Sequence, residues 1–326
     1  MTLRNSAERI AYVDHLMDHP DDSARLRSLK ADALRASGVT RLYKYCRPET
    51  ARLIMKHGLL LQAPDSYNDP FDCLAGVNVW SPKHRFAPDA ATIEAAMSEL
   101  KSLPTQYQLS SYDTHHDMRV SYSSATTCFS EQPDEHLLWS HYGDKHKGIC
   151  LAFEVADLNT ELHPCAYQSA MPKAAAWRTD NTALALIKGT AWSYEKEWRV
   201  VRKTSRPKMR ILGSLMHQIY NHVHTDPRFT ASDHEEWSNL NSDIVARLEQ
   251  QYNRERAMDV RPTQVLLGLN AHHQFTNEKS GACCDEIRDI ADRNNIPVTR
   301  MYVQPNSFDL APIKVVDRNG WTQPLR

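Results

Sequence analysis

Apolar and polar positions run along this chain with two different periods, and each change of period marks an element. Leu16, Leu26, Leu29 and Leu34 fall at helical spacing, Asp21-Asp22-Ser23 supplies a helix start, and Gly38 supplies a stop. Residues 1–40 therefore read as an N-terminal helical extension. The period shortens at Arg41, where Leu42-Tyr43-Lys44-Tyr45 predicts a short strand. Pro48-Glu49-Thr50 then opens a helix that continues through Ala51, Leu53, Ile54 and His57 and ends at Gly58. Leu59-Leu60-Leu61 predicts a second strand, and the turn formers of 63–72 predict an ordered loop. Val77-Asn78-Val79-Trp80 reads as a further strand, and the polar stretch 84–120 as a helical insertion.

Beyond that insertion, Ala125-Thr126-Thr127-Cys128-Phe129-Ser130 predicts a strand. Pro133-Asp134-Glu135 opens a helix that runs through Leu137, Leu138 and Trp139 to Gly143, and 148–155 is a mostly apolar strand. After a stretch of weak pattern, 194–201 reads as a strand, and 210–258 as a second helical insertion. The remainder reads strand (265–269), helix (278–294), strand (298–303) and a last short strand between Phe308 and Val316. Strands and helices are interspersed without a regular βαβ repeat. That predicts an α+β fold, with residues 41–326 as one domain that carries the two helical insertions.

Composition narrows the class. The chain has 326 residues, 41% of them hydrophobic, which suffices for a sizeable core. Its net charge is −1, so no overall basic balance points to nucleic acid and no acidic tail to a basic partner. No apolar run reaches the roughly 18–20 residues of a membrane span, and Met1-Thr2-Leu3-Arg4-Asn5 leads into nothing like a signal peptide. The seven cysteines include no C-x-x-C pair. That argues against structural zinc and a disulfide framework, and suits a reduced, cytoplasmic protein. The 16 histidines, among them His115-His116, His217, His222, His224 and His272-His273, lack metal-ligand spacing, so no metal site is assigned. Dinucleotide, P-loop and nucleophile-elbow motifs are missing as well.

Three constellations carry candidate chemistry. If 194–201 is a straight strand, Glu195, Glu197 and Arg199 share one face, opposite Tyr194, Lys196, Trp198 and Val200. Two carboxylates beside a guanidinium can serve as a hydrogen-bonding clamp, a general base or half of a metal site, or can be a solvated edge. The second constellation is Ser130, at the end of a strand that feeds a helix, with His141, Tyr142, Lys145, His146 and Lys147 further on. Ser130 there is a capping serine or an anion contact. The third is the loop Asn68-Asp69-Pro70-Phe71-Asp72, which either closes on its own backbone or reaches into a pocket.

These motifs, in this order, together with Lys147-Gly148-Ile149-Cys150-Leu151 and Tyr194-Glu195-Lys196-Glu197-Trp198-Arg199, resemble the bacterial domain-of-unknown-function family 2971 over residues 41–315. The order of elements is also similar to the ADP-ribosyltransferase superfamily. That resemblance implies an ADP-ribosyltransferase-like fold and an NAD-consuming pentosyltransferase. Glu197 would be the catalytic glutamate, and Glu195 would position or deprotonate the acceptor. Lys44 and Tyr45 would lie on the first NAD-binding strand, Ser130 on the middle one, Tyr142 would stack on nicotinamide, and Arg199 would contact the cofactor. Lysine stands at 44 where the superfamily has histidine or arginine, and its point charge replaces their directional contacts. The acceptor implied is protein, nucleic acid or water. The role implied is that of a toxin or phage-defence effector, with an antitoxin or a homo-oligomer as partner. Two other readings stand beside it: a metal-dependent nuclease or phosphodiesterase using Glu195, Glu197, Asp69, Asp72 and His141 or His146, and a non-catalytic binding module.

Overall fold

The computed structural model describes residues 6–63, 93–95, 97–98, 124–158, 160–170, 181–204, 206–275 and 281–314. The loop Asn68–Asp72, the strand read at 77–80, His115-His116 and most of the insertion 84–120 lie outside them.

The chain opens with α1 (Ser6–Asp18) and α2 (Ser23–Ser37), the latter capped by the Asp22 side chain and by a left-handed Gly38. Strand β1 (Arg41–Cys46), helix α3 (Pro48–His57) and the two-residue β2 (Leu59–Leu60) follow. Gly58 joins the last two at φ 85°, and a Cβ there would lie 2.4 Å from the Met258 carbonyl, so both conformation and space demand glycine. Strand β3 (Ser124–Ser130) leads to the short helix α4 (His136–His141), and β4 (Ile149–Glu154) to a single turn, α5 (Val155–Leu158). Next come β5 (Leu162–Pro164), β6 (Ala166–Gln168), the turn α6 (Asn181–Leu184) and β7 (Ile187–Gly189). A 3₁₀ turn (Thr190–Glu195) precedes β8 (Glu197–Lys203). The helical hairpin α7 (Arg206–Thr225) and α8 (Ala231–Arg256) occupies the second insertion. Strands β9 (Ala257–Met258) and β10 (Gln264–Leu267), helices α9 (His272–Phe275) and α10 (Gly281–Arg293), and strands β11 (Val298–Val303) and β12 (Leu310–Lys314) complete the order.

The fold is thus mixed α and β. Eight strands form one sheet in the order β12-β11-β10-β4-β1-β3-β8-β5, antiparallel except for the parallel pair β10–β11. Side chains alternate faces along each strand. Leu42, Phe129, Leu151, Trp198 and Val265 point to a core closed by α3 and α10, whereas Tyr45, Cys150, Leu266 and Met301 point to a second core closed by Leu138 and Trp139 of α4. The 194–201 segment departs from the straight strand expected. Its first half is the 3₁₀ turn, and Lys196 adopts φ 44° before β8 begins.

One feature of the sheet positions the site. β1 pairs with β4 over all six of its residues and β3 pairs with β8 over all seven, yet β1 and β3 meet at the single pair Tyr43↔Ser130. From there they diverge. At the far end Gln62 takes over the β3 edge, exchanging two 2.7 Å backbone hydrogen bonds with Thr126. The eight strands are therefore two half-sheets hinged at one pair, with an opening between them.

Candidate active site

That opening is a cleft of about 370 Å³. Tyr43, Lys44 and Tyr45 line it from β1, Thr126 to Ser130 from β3, Leu138, His141 and Tyr142 from the α4 segment, and Lys188, Glu195 and Glu197 from the region before and at the start of β8. Lys44, Tyr45, Ser130, Tyr142, Glu195 and Glu197 are thus brought into one place.

The two carboxylates converge on a residue that the sequence reading did not single out. Lys188 of β7 places its Nζ 2.5 Å from Glu195 Oε2 and 3.1 Å from Glu197 Oε2. All three side chains are buried, with 5% or less of their surface exposed. On a straight strand Glu195 and Glu197 would project in parallel. The left-handed Lys196 turns the chain between them instead, so that both acids face one ammonium. A signal for Lys188 existed in the sequence: it is the one charge ending the run Ala183-Leu184-Ala185-Leu186-Ile187.

The two acids differ in what they have left to give. Glu197 accepts from Arg199 Nε at 2.8 Å and Nη2 at 3.0 Å, from Lys188, and from the Cys128 thiol. A carboxylate has about four acceptor positions, so Glu197 is saturated. Burial pushes its pKa up, but Arg199 and then Lys188 outweigh burial and hold the carboxyl well below the usual range. Glu195 accepts one bond from Lys188 and one, at 2.9 Å, from the Tyr142 hydroxyl, which leaves acceptor capacity open. Burial raises its pKa first, the Glu197 charge adds to this, and together they outweigh Lys188 and Tyr142, placing it at about 7.

The remaining candidates have structural work. Arg199 has no exposed surface and lies behind Glu197, with Nη1 on the Ala185 carbonyl at 2.7 Å. It is not among the cleft-lining residues, so the expected cofactor contact is replaced by a grip on Glu197, because its side chain points into the protein beside that carboxylate. Ser130 donates to the Glu195 carbonyl at 2.7 Å and accepts from Gln132 N–H at 3.0 Å, which moors the 3₁₀ turn to β3. Tyr45 packs edge-on against Trp139 with ring centroids 5.0 Å apart and donates to the Gln132 carbonyl at 2.6 Å. Its ring walls the cleft while its hydroxyl is engaged. Lys44 is half-buried and has no carboxylate partner among the described residues. Its Nζ rests 3.4 Å from the Cys128 carbonyl and 5.7 Å from the Phe129 ring centre. Trp192 and Tyr194, both half-buried, are carried by the same 3₁₀ turn as Glu195, with Trp192 stacked beneath Lys188 at 4.9 Å. No group of three or more His, Cys, Asp or Glu side chains suited to a metal occurs among the described residues.

A family model described as a protein of unknown function (DUF2971) matches residues 138–200. The match supports that family over this segment. It runs from α4 into β8 and contains Tyr142, Lys188, Glu195, Glu197 and Arg199, so the DUF2971-like stretch holds the carboxylate pair and both cations that grip it. Neither the curated proteins nor the solved structures contain a match to the chain. No helix among the described residues is long and apolar enough to cross a membrane.

Proposed function

We propose that the cleft is the NAD site of an ADP-ribosyltransferase-like enzyme that transfers ADP-ribose to a protein or nucleic-acid acceptor, or to water. The observation that carries this reading is Glu195, a buried carboxylate in the cleft wall with part of its acceptor capacity unspent. A ribose hydroxyl is the kind of donor that fits there. The half-buried Lys44 ammonium suits the pyrophosphate, and the ring of Tyr142 offers a stacking surface. The volume falls in the range of small-molecule and cofactor sites.

The chemistry follows from the charges. The bond between the ribose C1′ and the nicotinamide nitrogen breaks, nicotinamide leaves with the electron pair, and positive charge develops on the ribose. A carboxylate fixed in a water-poor site stabilises that charge without reorganising. The acceptor nucleophile bonds to C1′, and its proton passes to Glu195, whose pKa near 7 suits it to this exchange. Glu197, the residue marked as catalytic by resemblance, takes the supporting part here: it holds Lys188 in place and adds the negative charge that raises Glu195.

The pairing weighs against the other readings. Glu195 and Glu197 are already balanced by Lys188 and Arg199, so they do not form an acidic cage awaiting a divalent cation. A buried four-charge network also gives little stability relative to apolar packing, so a purely structural lattice is a poor account of it.

Binding tests the reading. Titration of NAD against the fluorescence of the cleft tyrosines and of Trp192 beside Lys188 should give a saturable change in the wild type. Lys44→Met should weaken it at least about tenfold, the worth of one charge-assisted phosphate contact. A wild-type protein that shows no saturable change up to millimolar NAD would exclude the cleft as an NAD site.

A further inference from the structure

The N-terminal helix reaches the back of this site through one side chain. Arg9 lies on the α1 face that also carries Tyr12, Val13 and Leu16, all buried. A charge on an apolar helical stripe needs partners, and Arg9, only 3% exposed, has them. Its Nη1 donates to the Glu197 carbonyl at 2.6 Å and the Cys165 carbonyl at 3.0 Å, and its Nη2 donates to Glu131 Oε1 at 2.5 Å. The guanidinium lies 5.0 Å from the Trp198 ring centre, and Trp198 Nε1 donates to the same Glu131 oxygen at 2.8 Å. A second α1 contact, Tyr12 Oη to His163 Nδ1 at 2.6 Å, ties the helix to β5.

The backbone of Glu197 is held in part by this knot. Its N–H donates to the Tyr167 hydroxyl at 2.7 Å, and its carbonyl accepts from Arg9 and from Cys165 N–H at 3.1 Å. Residue 196, just before it, is in the left-handed region. The first residue of β8 thus sits at a bend, fixed from behind by a helix 188 positions away.

We propose that Arg9 is a positioning residue: by clamping the Glu197 carbonyl and Glu131 it fixes where the Glu197 carboxylate stands relative to Lys188 and Glu195, and so makes the N-terminal helix a working part of the site. This rests on the reading that Glu195 is the reactive carboxylate and Glu197 its support. Without the clamp, the start of β8 loses the side-chain contact that fixes it from behind, and the Glu197 carboxylate shifts away from Glu195. Lys188 is then left to Glu195 alone, and the carboxyl that titrates near neutrality moves back toward the ordinary carboxylate range. The titratable and charged groups on the elements packed around Glu195 are Lys188 on β7, Glu197 and Arg199 on β8, and Cys128 on β3. Among the described residues, Tyr43, Lys44 and Tyr45 on β1, His141 and Tyr142 at the end of α4, and Tyr194 and Lys196 beside it in sequence also stand there. Of these, Glu197 is the group whose place depends on Arg9.

The test is a pH titration of the ¹³C-labelled glutamate carboxyls of the full chain, read by NMR, with Glu195→Gln assigning the signal. The wild type should show one carboxyl titrating near pH 7. In Arg9→Met its midpoint should fall by about one pH unit or more, and Arg9→Lys, which keeps a charge and fewer donors, should restore part of the shift. An unchanged midpoint in a folded Arg9→Met variant, even one of lower stability, would overturn the proposal. If that variant does not fold, Glu131→Gln keeps an acceptor for Trp198, removes the charge that Arg9 grips, and is read the same way. NAD turnover does not enter this readout. A moved midpoint in a protein that never releases nicotinamide would keep the positioning role and reject the NAD reading.

Discussion

Glu195 and Glu197 are separated by one residue, and their ionisation should pull stability in opposite directions. The Glu195 carboxyl titrates above its ordinary 4.5, so its contribution is complete below that value and is lost as pH rises through about 7. The Glu197 carboxyl lies below its ordinary value, so its contribution is present above 4.5 and is lost on acidification. Denaturant unfolding at about pH 5 and about pH 8 should show Glu195→Gln gaining on the wild type with rising pH, by on the order of 1–3 kcal/mol. Parallel pH dependences would mean that Glu195 is not perturbed. Lys188→Met leaves Glu195 buried without its cation and should cost about 3–5 kcal/mol by urea unfolding. Adding Glu195→Gln to it should recover much of that loss; strictly additive losses would show that the two residues do not interact. At this scale the sequence was half legible. The E-x-E spacing picked out both acids, and their link to Lys188 could not be read from it. That link depends on the left-handed conformation of Lys196, a non-glycine residue with no sequence signature for φ 44°.

Among elements, strands β1, β3, β4 and β11 and helices α2, α3 and α10 were legible, because each is long enough to show a period or carries a cap such as Asp22, Gly38, Pro48 or Gly58. β5, β6 and β7 were not. Each has three residues, too few for an alternation to stand out, and β7 delivers Lys188. The turn after α4 was also hidden. Asp144, Lys145 and His146 hold φ 47°, 54° and 65° in succession, which a sequence of ordinary side chains does not announce. The fold fixes this turn by donating Gly148 N–H to the Gly143 carbonyl at 2.8 Å and Asn270 N–H to the His146 carbonyl at 2.8 Å. Lys145 is exposed, so Lys145→Gly should relieve strain and stabilise the protein by up to about 1 kcal/mol in thermal unfolding. A loss there would mean that the side chain supports the turn. Gly268→Ala should do the reverse. Its Cβ would lie 2.3 Å from the His146 carbonyl, and moving that turn should cost roughly 1–3 kcal/mol while displacing His141 and Tyr142 at the cleft. Unchanged stability would show that the backbone there yields freely.

For the whole molecule, the mixed α and β class followed from the order of elements, and the gathering of motifs spread from Lys44 to Glu197 was implied by the resemblance. The split in the sheet did not, because β1 and β3 both read as ordinary strands. Only their pairing at Tyr43↔Ser130 alone reveals the opening. The N-terminal segment, read from its pattern only as a helical extension, also reaches the site, since Arg9 enters the knot behind Glu197. We propose that this split cleft consumes NAD. That activity is tested most directly by incubating the full chain with NAD and measuring released nicotinamide, with water and with pooled protein or nucleic acid as acceptors. The wild type should release nicotinamide, with a rate that rises through about pH 7 as Glu195 ionises, and Glu195→Gln should lose at least about a hundredfold, as removal of a general base does. No release from the wild type with any acceptor, or release that survives Glu195→Gln unchanged, would contradict it.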